Sequence, residues 1–393
     1  MPRRQNNDIR RLGTILIAGA VAGLGASYVA SRRRPESAGE TRLIDWNLVR
    51  RMSVRTAQSD QAPVERRAEA QAEYTRMVRR SEPLIARYLG VDLPEPVQRI
   101  LVVDRKEWLE ANIFNFAELF KFIEEIYRKN ANAQTVGAMI ASGVNQRVMS
   151  LQLGVLLGVL ARKVLGQYDL SLLAPEPTAG ALYFVEPNIA KIQQMLGLDA
   201  HDFRLWIALH ETTHAYEFEA YPWVREHFND LLRRYFDQLN DQLHSLRAGL
   251  GPLLQRIIEN WGKGQHWMEM VLTKEQRAVF NELQALMSLV EGYSNHIMNA
   301  IGKQILPNFE EIEHRIEERK GRRSVAEQLF NRITGMDLKL AQYAEGQRFV
   351  DRVVEKRGIQ FANRVWHRAE NLPTLEEIRN PDQWIARLDR GTV

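Results

Sequence analysis

Cysteine is absent from this 393-residue chain, and its absence excludes two things at once. No disulfide framework can staple the fold, and no thiolate can hold a metal, so any metal ligands must be imidazoles and carboxylates. No aromatic residue is interleaved with the arginine clusters Arg3-Arg4, Arg10-Arg11, Arg32-Arg33-Arg34, Arg50-Arg51, Arg66-Arg67 and Arg79-Arg80. Stacking on single-stranded nucleic acid is therefore not suggested. The net charge of only +4 conceals an asymmetry, because the first 80 residues hold 16 Arg against 8 acidic residues. A basic tail of this kind can meet a polyanion or an anionic lipid surface, but no nucleic-acid partner is expected.

Residues 13–30 form an uncharged stretch of 18 residues with arginine on both sides. At about 1.5 Å per residue such a helix just reaches across a hydrocarbon core. The organisation expected is a basic tail at 1–12, a transmembrane or anchor helix at 13–30, a linker at 31–40 and one catalytic domain at 41–393. The expected location is membrane-associated through that segment, or cytoplasmic, with arginine at both ends leaving the orientation open. A 45% hydrophobic share suffices for a globular core.

The most informative stretch is Phe203 to Trp223, which contains His210-Glu211-Thr212-Thr213-His214. Residues four apart project from one face of a helix, so two imidazoles at this spacing can reach one ion. Glu211 follows the first His and is placed to take a proton from water activated by the metal. Apolar residues surround the motif (Leu205, Ile207, Ala208, Leu209 before it; Ala215 and Phe218 after), which marks a buried helix. Asp199 or Asp202 is expected to cap its start, and Pro222 to stop it near Tyr221.

A catalytic zinc site needs a third protein ligand and an open fourth position. The third His of the extended motif is missing, since Glu217 and Ala220 stand where Gly and His would be required. The candidate is Glu291, in the apolar helix Asn281–Gly302, where a lone carboxylate needs a cation or a strong partner. His296 is the reserve, although it points about 140° away on a helical wheel. Asn295, one turn after Glu291, is expected to orient the first His. Gly292 would let another helix approach closely. Tyr293, Tyr343 and Arg348 are weighed as oxyanion stabilisers, with a core or surface role favoured for each.

Elsewhere helical periodicity dominates. Residues 46–88 and 107–163 read as helices, with Leu153–Ala161 buried and Gly154 and Gly158 marking tight helix contact. Ile100–Val103 and Ala181–Val185 read as strands, the second as the sheet edge beside the metal. Gly166–Asp169 reads as a turn. The fold class expected is α+β, predominantly helical, with a small sheet beside the motif helix.

The residues His210–His214 with a downstream Glu helix resemble the zincin metallopeptidases of the Glu-ligand type. Six segments extend the likeness: Ile44-Asp45-Trp46, Val164–Asp169, Tyr183–Asn188, Arg204–Trp223, Val290–Ile297 and Gln342–Phe349. They resemble a family of zincin-like metallopeptidases or hydrolases, some linked to deazaflavin-coenzyme biosynthesis, and the likeness runs from Arg42 to the C-terminus. That resemblance implies a zincin fold with a metal site and no known substrate. One departure stands out, because the Glu-type pattern continues Glu-x-x-x-Asp where this chain has Asn295.

The expected activity is a zinc-dependent hydrolase, with Zn2+ on His210, His214 and Glu291 and Glu211 as general base. A peptide or protein is the expected substrate. The alternatives are hydrolysis of a small non-peptide amide, and a metal-binding scaffold that acts as a non-catalytic assembly protein.

Overall fold

The computed structural model describes residues 43–58, 64–129, 143–169, 180–245, 273–321 and 336–391. The candidate anchor helix at 13–30, with the tail and linker around it, lies outside these residues. Among the described residues no helix is long and apolar enough to cross a membrane.

The chain divides into two compact units interleaved in sequence, one of residues 1–60, 105–163 and 236–273, the other of residues 61–104, 164–235 and 274–393. In the first, α1 (Trp46–Ala57), α3 (Arg105–Lys129) and α4 (Gly143–Ala161) pack together. Asp45 caps α1, its side chain accepting from Leu48 N–H. The glycine pair expected to mark tight packing does so. A Cβ on Gly154 would stand 2.7 Å from Met52 Cβ, and one on Gly158 would stand 2.6 Å from the Ser53 carbonyl oxygen, so α4 lies directly on α1.

The second unit holds a three-stranded sheet in the order β1-β3-β2, from β1 (Arg99–Val103), β2 (Gly166–Asp169) and β3 (Ala181–Val185). β1 runs parallel to β3 with Arg99 opposite Ala181, while β2 runs antiparallel with Gly166 opposite Phe184. Two expectations need correction here. Ala181–Val185 is the central strand and not the edge. All five of its residues are buried, and an unbroken apolar run is what burial on both faces produces. Gly166–Asp169 is a strand and not a turn, and it forms one edge of the sheet. Its glycine answers a neighbour in space rather than a bend in the chain.

The helices of this unit are α2 (Val64–Leu89), α5 (Glu186–Leu196), α6 (Ala200–Glu219), the first part of α7 (Trp223–Ser245), α8 (Lys274–Ile305), α9 (Phe309–Gly321) and α10 (Met336–Arg357), of which α2, α5 and α6 pack on the strands. Short elements follow: α11 (Ile359–Ala362), two 3-10 turns (Asn363–Trp366 and Ala369–Asn371), α12 (Leu375–Arg379) and α13 (Pro381–Arg390). The architecture is thus α+β and predominantly helical. α6 lies at its centre, packed against α2, α8 and β2. Asp199 caps α6, accepting from Asp202 N–H at 2.9 Å, and the helix ends at Glu219, slightly before the stop expected from Pro222. α8 meets α10 backbone to backbone, where a Cβ on Gly292 would stand 2.2 Å from the Gly346 carbonyl carbon. That contact fixes the rotation of α8, and with it the direction in which Glu291 points.

Candidate metal centre

The core packing of α6 leaves its motif facing α8 and the edge strand β2. Ligand atoms of His210, His214 and Glu291 lie within 4.8 Å of one another, with His214 buried and the other two partly exposed. The two Nε2 atoms are 3.2 Å apart. Two nitrogens bound tetrahedrally to one zinc at about 2.0–2.1 Å would be separated by about 3.3 Å. This donor set therefore fits a zinc ion, and the partial exposure of two ligands suits a centre that keeps an open position. Among the described residues no lysine or arginine is paired with Glu291.

His214 is held from behind. Its Nδ1 lies 2.8 Å from Glu217 Oε2 and 3.1 Å from Ser294 Oγ, and the Ser294 hydroxyl donates to Glu217 Oε1 at 3.1 Å. A carboxylate can only accept, so Nδ1 carries the proton and Nε2 is left for a ligand. His210 stacks on Trp206, with ring centroids 6.5 Å apart, and its buried Nδ1 has no hydrogen-bond partner among the described residues. Asn295 does not fill that role, contrary to the sequence expectation. It shares a face with Glu291 but hydrogen-bonds neither imidazole, and the contact to the motif comes from its neighbour Ser294.

His296 is engaged elsewhere. Its Nδ1 pairs with Asp351 at 2.6 Å and its Nε2 with the Tyr88 hydroxyl at 2.7 Å, which leaves Glu291 as the acidic member of the cluster. Tyr293 is a core residue that donates to Asn363 at 2.6 Å. Arg348 is exposed and bonds Ala344 of its own helix. The side chain of Tyr343 lies outside the described residues.

Glu211 sits against β2. A Cβ on Gly166 would lie 2.4 Å from Glu211 Oε1, so the missing side chain makes room for the carboxylate. In the metal-free cluster burial pushes the Glu211 carboxyl up to about 7. The Glu291 charge adds to that rise, while His214 and the Tyr168 backbone N–H oppose it. Burial and the neighbouring His214 push His210 down to about 3. For His214 burial acts downward, but Glu217, Glu291 and Glu211 outweigh it and lift the imidazole to about 9. A bound cation favours the deprotonated form of every one of these groups.

Sequence reasoning missed Glu217 and Ser294. The available signal was spacing, since Glu217 lies three residues after His214 and Ser294 three after Glu291, positions that share a helical face.

A sequence profile of zincin-like metallopeptidases matches residues 44–385. The chain belongs to that family. No curated protein matches it. A crystal structure from Chloroflexus aurantiacus, described as a candidate hydrolase with a novel fold, is 52% identical with a TM-score of 0.66, the match covering 88% of this chain and 99% of that one. Membership in the zincin-like metallopeptidases supports, at family level, a metal-dependent hydrolase. The family match includes residues of both compact units.

Proposed function

We propose that the chain is a zinc-dependent hydrolase that cleaves peptide bonds, with His210, His214 and Glu291 as ligands and Glu211 as general base. The observation that carries this reading is the convergence of three ligand atoms within 4.8 Å beside a buried Glu211. Zinc, when bound, lowers the pKa of a coordinated water toward neutrality and polarises a carbonyl oxygen. Glu211 takes the proton of the attacking water and delivers it to the departing amide nitrogen. A carboxyl near neutrality is suited to both transfers. β2 is an edge strand among the described residues and its Gly166 lies against Glu211, so an extended peptide that paired with the strand backbone would run close to the general base.

The test compares wild type with Glu211→Gln for zinc content and for cleavage of a mixed peptide library. The reading expects one zinc in both proteins and cleavage by the wild type alone. Zinc in both with cleavage by neither would favour a non-catalytic scaffold, and a wild type without zinc would remove the metal centre.

A further inference from the structure

Glu217 moves no proton and ligates no metal in the chemistry just described, yet it is enclosed within the site. Its side chain is 0% exposed, and no lysine or arginine pairs with it among the described residues. Its hydrogen-bond partners are His214 on its own helix and Ser294 on α8. Enclosing a carboxylate this completely is costly unless its hydrogen bonds are used.

What those bonds achieve is orientation. The three groups form a closed triangle, with His214 Nδ1 shared between Glu217 at 2.8 Å and Ser294 at 3.1 Å and the serine hydroxyl returned to Glu217 at 3.1 Å. The triangle fixes both the plane and the tautomer of the imidazole, and it directs Nε2 toward His210 Nε2, 3.2 Å away. It also ties the helix that carries two of the ligands to the helix that carries the third. Ser294 lies one turn beyond Glu291, so one contact sets the spacing between Glu291 and His214. Asn295, at the position of the acidic residue in the Glu-type pattern, makes no such bond.

We infer that Glu217 is the positioning residue of the metal centre, anchored across the helix interface by Ser294, and that this chain orients its second histidine from the motif helix itself. The inference rests on the zinc reading above. Partners that orient ligand imidazoles contribute about 10- to 100-fold to metal affinity.

The experiment uses the full chain with Glu217→Gln, which keeps the volume and an acceptor but removes the charge, and Ser294→Ala, which opens the triangle at its other corner. Three quantities are read: Zn2+ affinity by chelator competition, the visible spectrum of the Co2+-substituted protein, and the thermal midpoint of the metal-free protein. The expected result is Zn2+ binding about 10- to 100-fold weaker in Glu217→Gln. Ser294→Ala should be weaker by less, with Co2+ bands displaced in both and metal-free midpoints near wild type. Affinities within twofold of wild type and unchanged Co2+ spectra would reduce Glu217 to a packing residue and overturn the inference while leaving the zinc reading intact. A drop confined to the metal-free midpoint would also overturn it. Absence of Zn2+ binding by the wild type would instead defeat the zinc reading, and the inference with it.

Discussion

The two ends of α6 and its middle use the same kinds of residue but close their charge in opposite ways. At the start, Arg204 bridges Glu73 at 2.8 Å and Glu186, which also accepts from the Tyr74 hydroxyl at 2.9 Å. At the finish, Glu219 accepts from Arg225 at 3.0 Å, from the Gly180 N–H at 2.9 Å and from the Tyr168 hydroxyl. Each carboxylate there meets a guanidinium. In the middle, Glu211, Glu217 and Glu291 converge on two imidazoles, and among the described residues no arginine or lysine pairs with them. The ends are electrostatically complete. The middle lacks such a partner, which a divalent cation would supply, and burial lifts the carboxyls of both Glu211 and Glu217.

That contrast breaks most visibly by removing a ligand. His214→Ala or Glu291→Ala should reduce bound zinc from one per chain to nearly none and abolish hydrolysis, as should a chelator acting on the wild type. Elemental analysis and activity assayed together check this, and zinc retained in either variant would move the centre elsewhere. Next in size is Glu211→Gln, which should leave the zinc content intact and slow hydrolysis by about 10²- to 10⁴-fold, the usual contribution of a positioned general base. A loss of both zinc and activity would make Glu211 a ligand.

How far the sequence reveals this arrangement depends on how local each cause is. The pairing of His210 with His214 follows from helical spacing alone, and Glu291 is conspicuous as a carboxylate in an apolar helix. Glu217 is equally local, but it escapes notice when position 217 is read only against a pattern that requires glycine there. Ser294 carries no signal until two helices are brought together. Asn295 shows the limit of the helical wheel, which gives a shared face with Glu291 but not the neighbour across it. The sheet is less legible still. Gly166 reads as a turn because glycine usually marks one, whereas its cause is the Glu211 carboxylate on another element. Strand order has no local signature, so a central strand is easily taken for an edge.

Gly166→Ala sharpens the comparison at intermediate size. The added methyl must displace the Glu211 carboxylate, and overpacking of this kind costs about 1–3 kcal/mol. Hydrolysis should fall by about tenfold or more with zinc affinity unchanged, a pattern that steady-state kinetics and chelator titration separate. At the completed end of α6 the outcome should be the reverse. Arg225→Met leaves Glu219 with only the tyrosine hydroxyl and a backbone N–H, and the thermal midpoint should drop by an amount equivalent to about 1–3 kcal/mol. Adding Glu219→Gln should recover part of that loss. Zinc affinity should stay at the wild-type value throughout, and a parallel fall in metal binding would mean that the ends and the middle are one network.

The smallest effect belongs to a closed carboxylate far along the chain. Glu377 receives Arg387 through two nitrogens, at 2.6 and 3.0 Å, and completes a capping box with Thr374 at the start of α12. Burial pushes its carboxyl up, but the Arg387 guanidinium and the Thr374 contacts outweigh burial and hold it below the usual carboxylate range. A depressed folded-state pKa contributes stability that is fully present above the unfolded value, near 4.3, and is lost as pH falls through the folded value. Between neutrality and about pH 5 Glu377 should therefore add no slope to stability. Below that, Glu377→Gln should flatten the acid limb of the denaturation curve by less than about 1 kcal/mol, since Arg387 is partly exposed and solvent screens the pair. Urea midpoints taken from pH 7 down to pH 3 measure it. A carboxylate that already has its cation responds only to acid, whereas those in the middle of α6 should respond to metal first. If the metal-free and zinc-loaded proteins gave superimposable acid limbs, that distinction between the two kinds of site would be lost.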